Sequence, residues 1–214
     1  MMTAEVIAAK LRAALAGPLP GPQAHQQALP PGYRREAPVA GLPITDAAVL
    51  LALRFDSPDG RIFFPLILRP DSMEHHAGQI ALPGGAIDEG ETPVDCALRE
   101  AEEEIGLDPG RVEVLGRLTP FVIPISGYRV DPFVGIVRGS LSYRPREAEV
   151  LRILAADPDR LAREGPHLRL ALERAGTVVP FPAYDVDGEL VWGATALILA
   201  EFLAIWREVR GILG

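Results

Sequence analysis

Apolar residues recur along this chain with two periods, and the changes of period mark out its elements. Residues 3–16 repeat at helical spacing and predict a short amphipathic helix. The apolar run from Asp46 to Phe55 predicts a strand. Ser57-Pro58-Asp59-Gly60 supplies turn chemistry, and Arg61 to Arg69 reads as the partner strand. Pro65, which has no N–H to give a ladder, places a bulge or a sheet edge there. A short strand at Gln79–Leu82 leads into a Gly84-Gly85 turn and then a helix. Further strands are expected at Arg111–Leu118, Tyr128–Val137 and Glu149–Leu154. A short helix at Pro158–Arg163 and a strand at Pro180–Val186 follow. The most apolar stretch, Leu190 to Trp206, contains Gly193, Thr195 and Glu201, so it reads as a buried terminal helix rather than a membrane span.

Residues 17–43 break this rhythm. Seven prolines and four glycines in 27 positions predict an extended, irregular arm. The chain therefore divides into a helix and arm at 1–43 and a folded unit at 44–214. Strands mixed irregularly with few helices predict an α/β fold, a mixed sheet packed between helices.

The helix after Gly85 carries the chemistry. Thr92 is its expected N-cap, Pro93 its first residue and Gly106 its stop. On a helical wheel Val94, Ala97, Leu98, Ala101 and Ile105 form one apolar stripe. Glu100, Glu103 and Glu104 gather on another side, and Glu102 points away. Glutamates crowding the last turn oppose the helix dipole, at roughly 0.3–1 kcal/mol each. Such a local conflict marks functional positions. A hard divalent cation would relieve it, because Mg2+ favours carboxylate oxygens together with waters and substrate phosphates.

The stretch Gly85 to Leu107 resembles the Nudix box, Gly-x5-Glu-x7-Arg-Glu-U-x-Glu-Glu-x-Gly-U, with U a bulky aliphatic. Gly85, Glu91, Arg99, Glu100, Glu103, Glu104 and Gly106 match, and only Ala101 departs, at the first U. Upstream, Leu66-Ile67-Leu68-Arg69 and Glu74 to Gly85 resemble the coenzyme A pyrophosphatase branch of that family, which also has Ala at the position of Ala101. Pro70, Glu74 and Leu82 differ from that branch, which has Ser, Arg and Phe there. Trp192-Gly193-Ala194-Thr195 is similar to it as well.

The resemblance implies a Nudix-type α/β/α sandwich and a hydrolase that uses Mg2+ or Mn2+. It implies that Glu100 and Glu104 bind the cation, that Glu103 is a third ligand or the water-activating base, and that the Gly85 carbonyl is a further ligand. Arg99 should pair with Glu91 and hold the loop against the helix. Members of the family take an extra acid from outside the box, and Glu147 and Glu149 are the candidates. Arg69 and His76 are the candidates for contacts to substrate, with Arg34, Arg35 and Arg61 weaker ones. The implied reaction splits the diphosphate of coenzyme A or its thioesters into 3′,5′-ADP and 4′-phosphopantetheine or its acyl form. The alternatives are ADP-ribose or another nucleoside diphosphate compound, or a ligand sensor that kept the fold without catalysis.

Composition narrows this a little further. The net charge of −8 argues against a nucleic-acid partner and for small anionic substrates neutralised by a cation. The single cysteine, Cys96, excludes intrachain disulfides and reads as a small filler near the carboxylates. Lys10 is the only lysine, so no Gly-x4-Gly-Lys phosphate loop exists; there is likewise no His-Glu-x-x-His pair and no Gly-x-Ser-x-Gly elbow. With no secretory signal and no membrane span, a cytoplasmic enzyme is expected, with a second copy of itself as a candidate partner.

Overall fold

The strand β1 (Thr45–Arg54) serves two cores at once. Side chains alternate across a strand. Ala48, Leu50 and Ala52 therefore enter one apolar cluster, and Leu51 and Leu53 the other. The computed structural model describes residues 2–33, 41–55, 61–70, 78–139, 142–174 and 176–212.

β1 lies parallel to β7 (Tyr128–Val137) along its full length and antiparallel to β4 (Gly84–Ala86). On its far side β7 pairs antiparallel with β5 (Val112–Arg117), whose register shifts between Val114 and Gly116, and with β6 (Phe121–Val122). These five strands make the expected mixed sheet. A second sheet sets β2 (Phe64–Leu68) between β3 (Ile80–Ala81) and β8 (Arg152–Ala156). A third is an antiparallel meander of β9 (Leu168–Arg174), β10 (Thr177–Val186) and β11 (Glu189–Val191).

Helices cover both faces of the main sheet. α3 (Pro93–Ile105) lays Cys96, Ala97, Ala101 and Ile105 against the even-numbered face of β1. Small side chains meet here, Ala97 and Ala101 joining Ala48 and Ala52 in one cluster, which brings the helix close to the sheet. That closeness accounts for Ala101 where a bulkier aliphatic is usual. On the opposite face lie α1 (Ala4–Leu15), α4 (Pro158–Glu164) and α5 (Gly193–Arg210). Twelve of the 18 residues of α5 are buried, so it is apolar nearly all round and forms the spine of the larger core. No helix among the described residues is long and apolar enough to cross a membrane.

The arm departs from its expected form. Residues Gly21–His25 form a helix, α2, continued by a 3-10 turn at Gln26–Ala28. Its prolines start the helix rather than prevent it: Pro20 is the N-cap and Pro22 stands in the first turn. The buried His25 sits 3.1 Å from a carboxylate oxygen of Glu201 in the middle of α5. Glu201 also accepts hydrogen bonds from the Thr119 hydroxyl at 2.6 Å and the Gly21 N–H at 3.2 Å. Burial pushes the Glu201 carboxyl up, but the hydrogen bonds from His25 and Thr119 outweigh it and leave it below the ordinary value.

Other differences are local. Gly84 and Gly85 lie in a strand, not a turn. β8 begins at Arg152, three residues later than expected, so Glu149 falls in the preceding turn. Pro65 sits in regular β2 opposite Ala155, without a bulge; β3 reaches only Ile67 and Leu68, which leaves that side of the strand open at the proline. The strand expected at Pro180–Val186 is the second part of β10, and the pattern gives no sign of its hairpin partner β9. The turn expected at 57–60 lies outside the described residues.

Candidate active site

Two glycines in β4 let the acidic helix approach the sheet. A side chain on Gly84 would place its first carbon 2.3 Å from the Ala48 carbonyl oxygen. One on Gly85 would meet Glu100 at 2.4 Å from Oε1. β4 is held against β1 by the pairs Ala48–Gly85 and Val49–Gly84. α3 is fixed at both ends: the Thr92 hydroxyl accepts from the Asp95 N–H, and Gly106 closes the helix at φ 67° in the left-handed region.

Glu104 is the most enclosed acid of the group, with 1% of its side chain exposed. One carboxylate oxygen accepts from the Gly84 N–H at 2.9 Å and the other from Arg69 at 3.0 Å. The same Arg69 nitrogen donates to the Gly84 carbonyl at 3.1 Å. Burial pushes the Glu104 carboxyl up to about 7, and Arg69 acts against that shift. Burial likewise raises the Glu100 carboxyl, against the pull of Arg99.

Arg99 ties the preceding loop to the helix. Its Nε and Nη2 donate to the two oxygens of Glu91 at 2.8 and 3.0 Å, and its Nη1 donates to Glu100 at 2.8 Å. The bidentate bond from Arg99 holds the Glu91 carboxyl down at about 2, and Glu91 in turn raises the Arg99 guanidinium. The Glu91–Arg99 pair expected from the sequence is thus present. Cys96 packs beside it, its thiol 3.3 Å from the Ala86 carbonyl, and burial pushes that thiol up to about 11. A buried, protonated thiol fits the filler reading.

Residues 142–151 close the C-terminal end of α3. The N–H of Arg146 caps the Glu104 carbonyl at 2.9 Å, and that of Arg144 caps Ile105 at 2.9 Å. Arg146 reaches Glu149 at 3.1 Å and Glu103 at 3.9 Å. Three arginines therefore relieve part of the charge conflict in the acidic turn: Arg69 at Glu104, Arg99 at Glu100, Arg146 at Glu103. The sequence reading missed Arg146, because a pairing across a loop leaves no periodic signal.

These groups border a cleft of about 500 Å3. Arg69, Gly85, Glu100, Glu104 and Glu149 line it. Glu103 stands outside the lining with 44% of its side chain exposed, and Glu147 is exposed away from it. Glu102 is exposed as the wheel implied. His76, Glu74, Arg34 and Arg35 lie outside the described residues. The rest of the lining is mostly apolar and includes Tyr33, Phe121, Phe181, Trp192 and Leu197, with Gln79 and Thr195 as polar members. Only Trp192 among these carried a sequence signal. Among the described residues no three acidic, histidine or cysteine side chains stand close enough to enclose a cation by themselves.

The NUDIX domain profile matches residues 36–157, more than half of the chain, and spans the glycines, the acidic helix and Glu149. The chain belongs to the Nudix family. Over 151 residues it is 37% identical to a protein of Escherichia coli O6:H1 named uncharacterized Nudix hydrolase NudL, covering 65% of this chain and 78% of that one. Its fold is similar to a MutT/nudix family protein from Enterococcus faecalis, with TM-score 0.51, 18% identity, and coverage of 83% of this chain and 71% of the other. A NUDIX hydrolase from Alicyclobacillus acidocaldarius gives TM-score 0.50 at 19% identity, covering 77% and 93%. Nudix hydrolases act on pyrophosphate linkages of small nucleotide substrates and generally use divalent metal ions. The α/β sandwich expected from the sequence is the fold observed.

Proposed function

We propose that this Nudix hydrolase cleaves the diphosphate linkage of coenzyme A or its thioesters, releasing 3′,5′-ADP and 4′-phosphopantetheine or its acyl form. One observation carries the reading: the buried Glu104, with Glu100, Glu149 and Arg69, borders a cleft whose remaining wall is mostly apolar. The charged border suits a diphosphate, and the apolar wall suits a pantetheine arm better than the second ribose of ADP-ribose.

The donors fit Mg2+ or Mn2+. Glu100, Glu104, Glu103 and Glu149 and the Gly85 carbonyl are all hard oxygen groups, and the missing side chain of Gly85 lets the Glu100 carboxylate lie against β4. Mg2+ keeps waters and binds through one or two carboxylates plus substrate phosphates. Glu100 and Glu104 would hold the ion, with Gly85 and either Glu103 or Glu149 completing the set. Bound there, it would neutralise diphosphate charge and acidify a water.

The chain's own groups do the rest. Arg69 keeps Glu104 aligned and offers positive charge to the substrate phosphates at the same border. Arg99, gripped by Glu91, fixes Glu100. Glu103, exposed at the end of α3, and Glu149, in the turn facing it, are the two acids placed to take a proton from an attacking water. Incubating the purified protein with coenzyme A, acetyl-coenzyme A and ADP-ribose, each with Mg2+ or Mn2+, tests the reading by product analysis. Formation of 3′,5′-ADP from the coenzyme A compounds is expected. Faster cleavage of ADP-ribose would overturn the choice of substrate.

A further inference from the structure

The cleft joins two chemistries that come from different parts of the chain. Its charged residues, Arg69, Glu100, Glu104 and Glu149, all lie within the span 36–157 that matches the NUDIX domain. Much of its apolar wall lies outside that span. Leu29 and Tyr33 come from the N-terminal arm, Phe181 from β10, and Trp192, Leu197 and Ile198 from the start of α5. Tyr33, Phe181 and Trp192 form an edge-to-face row, with ring centroids 5.8 and 6.4 Å apart. The Thr195 hydroxyl, also in the lining, is held by the Ile80 carbonyl at 2.9 Å. At the rim Ile125 stands 63% exposed, an apolar side chain offered to an entering ligand.

Resting on the activity proposed above, we infer that this wall is a subsite for the alkyl chain of a fatty acyl thioester. The elements that flank the NUDIX span would then make the enzyme selective for longer acyl groups. A buried purine would bring ring nitrogens and an amine that need hydrogen-bonding partners. Methylenes need none, and each gains when it leaves water. The wall is continuous with the acidic border, so one substrate reaches both: its diphosphate lies at Glu104 and its acyl end against Tyr33, Phe181 and Trp192. The buried His25–Glu201 contact serves this surface, because it fixes the segment that carries Leu29 and Tyr33 onto α5.

Trp192 is a built-in reporter. The other tryptophan, Trp206, is fully buried and donates its Nε1–H to Asp159 at 2.8 Å. The experiment follows intrinsic fluorescence of the full chain during titration with S-acyl pantetheines from acetyl to octanoyl. These lack the diphosphate, so they are not cleaved and call for no metal ion. A blue shift is expected, with the dissociation constant falling about tenfold for every two methylenes added until the wall is covered. Trp192→Phe should abolish the signal. Ala194→Phe, which fills the cleft from the first turn of α5, should flatten the dependence on chain length. The slope measured on the unaltered protein decides the matter if that variant does not fold. A dissociation constant indifferent to chain length, or no binding at any length, overturns the inference. So does an equal shift caused by 3′,5′-ADP, since the base would then occupy the wall. Separately, failure to cleave any coenzyme A ester with Mg2+ or Mn2+ would overturn the proposed activity, and the binding slope would still judge the subsite.

Discussion

Arg69 and Glu104 meet at 3.0 Å although 35 residues separate them, and their contact sets the charge state of the cleft's most enclosed acid. Arg69 lowers a carboxyl that burial raises to about 7. Arg69→Met should therefore push the Glu104 carboxyl higher still. The acid limb of the rate at subsaturating Mg2+, where protons compete with the ion for Glu104, should move to higher pH, with turnover at neutral pH falling about tenfold to a hundredfold. A rise in KM with an unmoved limb would instead assign Arg69 to substrate phosphate alone.

Glu104→Gln should lower turnover at least about a hundredfold, the scale of losing a major electrostatic contact in the transition state. It should also change the pH dependence of stability. A carboxyl whose folded value lies above its unfolded value of 4.5 favours folding when protonated. Its ionisation therefore erodes stability as pH rises from about 4.5 to about 7, by on the order of 3 kcal/mol in total. The variant lacks this group, so its melting temperature relative to the parent should rise across that window and level off above it. Thermal scans without divalent ions measure this, and a constant difference would contradict the assignment.

Breaking the loop clamp should separate structure from chemistry. Glu91→Gln removes the bidentate charged partner of Arg99, leaving it Glu100, and should cost about 1–2 kcal/mol, near 5 °C in melting temperature. The sign with pH is opposite to that of Glu104. Arg99 holds the Glu91 carboxyl at about 2, so its stabilising contribution is complete above about 4.5 and fades as pH falls towards 2. Turnover should drop too, because Arg99 also positions Glu100.

The two glycines of β4 should fail differently. Gly85→Ala drives its new carbon into the Glu100 carboxylate, a flexible side-chain end that can swing aside. Activity should fall about a hundredfold with little loss of stability. Gly84→Ala meets the Ala48 backbone oxygen, which cannot move without breaking the β1–β4 pairing. A loss of about 2–3 kcal/mol is expected, read by denaturant unfolding.

Glu201→Ala should remove the anchor of the arm. It leaves the buried His25 and the Thr119 and Gly21 donors without their acceptor, a loss of about 3–5 kcal/mol, or roughly 10 °C. A change of less than about 1 kcal/mol would show that the arm packs independently of this cluster.

The acidic helix was legible because its signals are local. Thr92, Pro93 and Gly106 define its ends within a few residues, and both caps are observed as read. The alternation along β1 was equally plain. What the sequence hid were contacts formed across loops and between sheets. Arg146 belongs to a segment with no periodicity, yet it reaches two of the glutamates. In the arm, the density of proline and glycine masked a helix that Pro20 and Pro22 help to start, and His25 gave no hint of its partner 176 residues away. Glu201 did leave a trace, as the one acid in the apolar stretch Leu190 to Trp206. Such a residue requires buried partners, and following that requirement would have led to the arm.

The placement of α5 also constrains how the molecule assembles. This helix emerges from the ribosome after every strand and helix it packs against. Until then the larger core lacks its central member, and the row of apolar side chains on β1 and α1 stays open to water. A nascent chain arrested before Gly193 should accordingly be a ready client for chaperones and proteases, whereas release of the same chain with α5 in place lets it escape both.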